Sequence, residues 1–349
     1  MGSGIGVTAF GFSDDEWTQA VTAQINKLQH TSNLYYTEPC ALLAKTLCEK
    51  TGMKKVFFSN SGAEANECAI KVARKYTAEK KGDDYYTIIT LKNSFHGRTL
   101  TTLSATGQDV FHKLFNPLTP GFTYVTANNI EELNKTVKET KAAGIMLEIV
   151  QGEGGVIALD KEFILTAQSL AKENGIPLII DEVQTGNGRT GSLYAYMQYG
   201  ITPDIVSTAK GLGGGLPIGA TLMSEEVQYV LGPGDHGSTY GGNPVCCAGA
   251  LSVINRLDDS FLSDVNRKSE YVFSALKAAE GIESVSGLGL MIGIKTTANA
   301  KEIVNKCIER GVICLTAKDK VRLLPALNIS DELLEKAIET IKSVCKEAL

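Results

Sequence analysis

Two short apolar runs in the middle of the chain each lead into an ionisable group. Residues 177–180 read Pro-Leu-Ile-Ile and stop at Asp181. Residues 204–206 continue through Ser207, Thr208 and Ala209 to Lys210. Segments of this length and composition, set between helical patterns, are expected to be strands buried on both faces. Open α/β sheets bind their ligands in the crevice outside the carboxyl ends of such strands, which delivers an acid and a lysine to one place.

The surrounding chain supports that frame. Strands are expected at 56–58, 86–91 and 145–150 and from Pro177, with helices at 63–80, 131–141 and 160–173 between them. This is the βαβα order of a mainly parallel sheet covered by helices. Ahead of it, Ser13 and Glu16 have the spacing of a capping box for a helix over 14–29, whose Trp17, Val21, Ile25 and Leu28 share one face. Residues 30–36 form a polar and aromatic loop, after which Pro39 opens a helix that Gly52 ends. Past residue 245 the rhythm changes. Helical stretches at 245–280, 299–310 and 331–348 surround short strands at 289–294, 312–315 and 321–324. The expected organisation is α/β, with an amino-terminal segment 1–12, a large domain 13–244 and a smaller α+β domain 245–349.

Composition removes several classes of function. A net charge of -5 with no long basic run gives no footprint for nucleic acid. No apolar stretch reaches the roughly 20 residues of a membrane helix, and the first residues lack a secretory pattern. Eight cysteines without CxxC spacing read as small buried hydrophobes in a reducing cytoplasm, and four histidines without ligand spacing make a metal site unexpected.

Five segments carry candidate chemistry. Ser61-Gly62-Ala63 lies between a strand and a helix, where free backbone N–H groups can take a phosphate, although an ordinary capped turn reads the same way. Phe95 and Arg98 follow the next strand; the ring can stack on a planar group and the guanidinium can take a carboxylate, or they can be a core residue and a solvated one. Glu153 sits among Gly152, Gly154 and Gly155, presenting a carboxylate beside a close backbone, or simply making a turn. Residues 186–191 match GxGxxG, but no helix pattern opens there and the next acid, Asp204, is too near for dinucleotide binding, so a plain loop is expected. Lys210 is followed by a glycine-rich stretch without long side chains. Such a lysine can bond to a carbonyl carbon while Asp181 pairs with a ring nitrogen, the combination that holds a heteroaromatic aldehyde cofactor.

Taken in order, these segments, with residues 236–244 (HGSTYGGNP), resemble those of the class III, fold type I, pyridoxal-phosphate aminotransferases over essentially the whole chain. The resemblance implies a large domain on a mainly parallel, seven-stranded sheet and pyridoxal 5'-phosphate as cofactor. Lys210 would bond to it and move the substrate proton, and Asp181 would keep its ring nitrogen protonated. Gly62 and Ala63 would bind the phosphate, Phe95 would stack on the ring, and Val183 and Gln184 would pack beside it. Thr239 would reach the phosphate of a neighbouring subunit's cofactor, with Ser238 near the substrate, so a cytoplasmic homodimer is expected. Arg98 would hold the carboxylate of N-acetylornithine, Arg322 the α-carboxylate of glutamate or 2-oxoglutarate, and Glu153 would cover Arg322 in the other half-reaction. The implied products are N-acetylglutamate 5-semialdehyde and glutamate, as in arginine biosynthesis. Ornithine, succinylornithine and 4-aminobutyrate transaminases share these motifs, and an aminomutase remains an alternative. Two departures stand out: Ile149 replaces the more usual proline after Glu148, and most of the family's amino-terminal segment is not expected here.

Overall fold

The computed structural model describes residues 1–349. Its centre is a seven-stranded sheet formed by Lys55–Ser59 (β1), Thr87–Leu91 (β2), Phe122–Val125 (β3), Ala142–Leu147 (β4), Leu178–Asp181 (β5), Ile205–Thr208 (β6) and Gly219–Met223 (β7). The spatial order is β1-β7-β6-β5-β4-β2-β3. Only β7 runs against the others, pairing antiparallel with both β1 and β6. Every residue of β4, β5, β6 and β7 is buried, as a sheet covered on both faces requires. The register sets Asp181 opposite Ser207, so the carboxyl ends of β5 and β6 open at one level.

The helix Gly62–Lys81 crosses this sheet with Ala65, Ala69, Val72 and Ala73 inward. Small residues let it lie close: a Cβ at Gly144 would sit 3.4 Å from that of Ala73. A second sheet, antiparallel throughout, joins Ile282–Leu288 (β8), Met291–Thr296 (β9), Lys320–Leu323 (β11) and Leu315–Ala317 (β10) in the order β8-β9-β11-β10. Met1 and Ala9 accept backbone hydrogen bonds from Leu324 and Leu327, which ties the first residues to the end of this sheet.

Several boundaries differ from expectation. The first long helix, Asp15–Lys27, is capped by Asp14, whose carboxylate accepts from the Trp17 amide, and Ser13 is not the cap. The expected strand 145–150 is Ala142–Leu147, and Val150 and Gln151 pair instead with Ala158 and Ile157. The helical stretch 245–280 is two helices, Pro244–Asn255 and Asp259–Lys277, because Asp258 starts a new helix by capping Phe261. The strand expected at 289–294 is Met291–Thr296, and that at 312–315 is Leu315–Ala317. The GxGxxG segment is a run of turns whose Arg189 is buried and donates to the carbonyls of Leu290 and Pro325. No helix is long and apolar enough to cross a membrane.

Candidate active site

A cavity of about 430 Å³ opens where the carboxyl ends of β1, β2, β4, β5 and β6 converge. Asp181, the last residue of β5, forms its floor and is 3% exposed. Lys210 enters from the turn after β6 with φ of 44°, a left-handed conformation that an L-residue adopts at a cost. Its amine has no hydrogen-bond partner within the chain. Burial lowers its pKa, partly offset by the carboxylates of Glu153, Asp181 and Glu148.

Around Asp181, and also bordering the cavity, lies a polar layer that includes Asn66, His96 and Glu148. Oδ2 of Asp181 accepts from Asn66 Nδ2 at 2.7 Å and faces His96 Nδ1 at 2.8 Å. Oδ1 accepts from the Val183 amide at 3.0 Å. Burial alone would lower the His96 pKa, but the adjacent Asp181 outweighs it and the net shift is upward. Glu148, just past the end of β4, accepts from the Phe95 amide at 2.9 Å, and burial pushes its carboxyl up to about 7.

Another part of the cavity wall is the start of the helix Gly62–Lys81. Ser61 caps it, accepting from the Glu64 amide, while Glu64 accepts from the Asn60 amide. Gly62 and Ala63 line the cavity and their amides, in the first turn, have no acceptor within the helix, the kind of helix start that can bind an anion. Gly62 is required here, since a Cβ would lie 2.6 Å from Val183 Cγ1. Phe95 and Val183 supply apolar wall, and exposed Arg98 stands at the rim over the Phe111 ring, 4.1 Å from its centroid.

Arg322, on β11, does not line the cavity. It is 3% exposed and donates to Glu153 Oε1 at 2.6 Å and to Gln184 Oε1 at 3.4 Å, while Nε has no partner. Burial raises the Glu153 pKa, Arg322 more than reverses this, and the net shift is downward. Gln184 borders the cavity, so the ion pair stands directly behind its wall.

The chain matches the Aminotransferase class-III family over residues 1–345. It belongs to the class III aminotransferases. An acetylornithine aminotransferase from Haemophilus ducreyi is 52% identical over 347 residues, covering 99% of this chain and 88% of that protein. Among solved structures, the ornithine aminotransferase from Toxoplasma gondii, with partial occupancy of PLP at its active site, aligns with a TM-score of 0.95 at 29% identity, over 99% of this chain and 85% of that one. The N-acetylornithine aminotransferase from Stenotrophomonas maltophilia aligns at 0.86 and 32% identity, over 98% and 89%.

In this class III aminotransferase one cavity brings together Lys210, Asp181, Gly62, Ala63, Phe95, Val183, Gln184 and Arg98 of the residues singled out in the sequence. Ser238 and Thr239 lie outside it. Ser238 Oγ accepts from Asn60, a cavity residue, and Thr239 is exposed. Asn66 has no counterpart in the sequence reading, although its inward position beside Ala69, Ile70 and Ala73 marks a polar group facing the core. The residues fit pyridoxal phosphate: free amides for a phosphate, an amine for an aldehyde, an acid for a ring nitrogen and apolar walls for a ring. A bound cofactor would rest on Gly62, Ala63, Asp181, Phe95, Val183 and Lys210.

Proposed function

We propose that this enzyme moves the side-chain amine of N-acetylornithine to 2-oxoglutarate, yielding N-acetylglutamate 5-semialdehyde and glutamate. The observation that carries this reading is one cavity holding Lys210 and Asp181 with an unpaired Arg98 at its rim and a paired Arg322 behind its wall. The 52% identity to an acetylornithine aminotransferase supports the choice of donor.

Pyridoxal phosphate supplies an aldehyde that bonds reversibly to amines and a protonated ring that takes up the electron pair released when the neighbouring carbon loses its proton. The chain's residues do the rest. The neutral amine of Lys210, favoured by burial, would take the proton from the carbon bearing nitrogen and deliver it to the carbon that was the aldehyde. Water then releases the donor as an aldehyde, and its nitrogen stays with the cofactor for 2-oxoglutarate to collect. Asp181 holds a proton on the ring nitrogen. Gly62 and Ala63 fix the phosphate, Phe95 and Val183 keep water from the ring faces, and Gln184 positions its oxygen substituent.

Two carboxylate clamps explain how one pocket takes amines at a chain end and at an α carbon. Arg98, which has no acidic partner, holds the carboxylate of N-acetylornithine. Arg322 is neutralised by Glu153 during that half-reaction, and when Glu153 swings away it holds the α-carboxylate of glutamate or 2-oxoglutarate. We further propose a cytoplasmic homodimer in which Thr239 reaches the partner's phosphate site with Ser238 close to the substrate. The large and small domains are proposed at 13–244 and 245–349.

The 0.95 alignment with an ornithine aminotransferase favours one second reading, ornithine as donor. Product analysis after complete turnover tests the proposal. Equal amounts of glutamate and N-acetylglutamate 5-semialdehyde are expected. Turnover without any oxo acid would replace the proposal with an aminomutase.

A further inference from the structure

Asp181 does not stand alone, and the way it is held suggests roles for residues that so far have none. An ionised carboxylate offers about four acceptor positions. Both on Oδ2 are taken, by Asn66 and His96, and one on Oδ1 is taken by the Val183 amide. One position on Oδ1 is left, and Asp181 borders the cavity.

Asn66 is fixed in turn. Its oxygen accepts from Ser207 Oγ at 2.5 Å, and its nitrogen donates both to Asp181 and to the His96 carbonyl. Turning the amide over would set its oxygen against a carboxylate and a carbonyl, so the orientation is determined by the network. His96 is held by a hydrogen bond from its own amide to Thr106 Oγ1, and its Nε2 is buried without a partner. A buried imidazole with one nitrogen unsatisfied is retained at a cost, and the only polar contact its ring makes is with Asp181.

We infer that Asn66 and His96 are positioning residues that occupy Oδ2 and turn the one free lone pair of Asp181 toward the ring nitrogen of the cofactor. The inference rests on the pyridoxal-phosphate reading above and deepens it. Both residues border the cavity, but each spends a side-chain nitrogen on Asp181, so they act on the ring nitrogen through that carboxylate. Without them the carboxylate can rotate, and its charge is shared between two orientations of which one is unproductive.

The test uses the loaded enzyme and three variants. His96→Phe removes the donor while filling the space, and His96→Asn restores a donor near the Nδ1 position. Asn66→Leu removes the other contact. We expect His96→Phe and Asn66→Leu each to weaken cofactor affinity about tenfold, as for a lost hydrogen bond to a charged group. Affinity is read by absorbance titration of the apo protein, with circular dichroism confirming the fold. We also expect kcat to fall with little change in the donor KM, and His96→Asn to recover most of both losses. If His96→Phe or Asn66→Leu folds and binds cofactor as the wild type does, the inference is wrong. It is also wrong if His96→Asn and His96→Phe lose equally. Should His96→Phe not fold, the folded Asn66→Leu variant decides alone. Failure of the wild-type protein to take up pyridoxal phosphate would instead overturn the underlying reading.

Discussion

Arg322 and Glu153 close a 2.6 Å ion pair immediately behind the wall of the cavity, with the guanidinium almost entirely buried. A buried arginine whose Nε has no acceptor is incompletely satisfied, which makes its partner exchangeable for a better one. A substrate carboxylate able to accept two donors is such a partner.

Replacing Arg322 with alanine should therefore injure the two half-reactions unequally. The glutamate half-reaction is expected to slow by about a hundredfold or more, the scale of losing one member of a buried charge pair. The N-acetylornithine half-reaction should change much less. Stopped-flow rates with each amine measure the two separately, and equal losses would remove the proposed switch.

Arg98 offers the opposite case. It is exposed and makes no ion pair, so its removal costs little stability. Arg98→Ala should shift unfolding by no more than about 0.5 kcal/mol. It should lower kcat/KM for N-acetylornithine by at least roughly tenfold through loss of a charge-assisted contact. Denaturant unfolding and steady-state kinetics on the same preparation check both halves.

Gly62→Ala tests the phosphate cradle. Its new Cβ meets Val183 Cγ1 at 2.6 Å and Cγ2 at 2.9 Å, so helix or strand must give way. Overpacking of this kind costs about 1–3 kcal/mol of stability. The stronger effect should be on cofactor affinity, read by titration of the apo protein, since the displaced amides are those proposed to hold the phosphate.

The buried acids set a pH dependence. Burial raises Glu182 to about 7, above its ordinary 4.5, so the folded state binds a proton there that the unfolded state has already released. Stability from this group is present below about pH 4.5 and is lost as pH rises toward 7. The loss is at most roughly 3 kcal/mol. Glutamine at 182 can still accept from Tyr196 and donate to Thr185, so Glu182→Gln should match the wild type near pH 4.5 and exceed its stability at pH 7. Urea unfolding at the two pH values measures this; a constant difference would contradict it.

The parts of this molecule that were legible in advance are those where one residue type serves one purpose. The buried strands Leu178–Asp181 and Ile205–Thr208 announce themselves by apolar runs, and their terminal Asp181 and following Lys210 by charge. Gly219–Met223 escaped because its antiparallel place between β1 and β6 follows no βα alternation. Ile282–Leu288 escaped because its faces, carrying Glu283, Ser284 and Ser286, are only half-buried and show no clean period. Asn66 and Ser207 were silent for a different reason. An amide in a helix and a hydroxyl in a strand look alike whether they meet water or a buried carboxylate, and only the fold brings them to Asp181.

The central claim is that the cavity takes the side-chain amine of N-acetylornithine and passes it to 2-oxoglutarate. Its most direct test follows the visible spectrum of the pyridoxal-phosphate-loaded protein on adding N-acetylornithine, ornithine, succinylornithine or 4-aminobutyrate, then 2-oxoglutarate. The account predicts that N-acetylornithine discharges the colour with the highest rate constant over concentration and that 2-oxoglutarate restores it. A protein that stays colourless, or one discharged fastest by ornithine or 4-aminobutyrate, would contradict it.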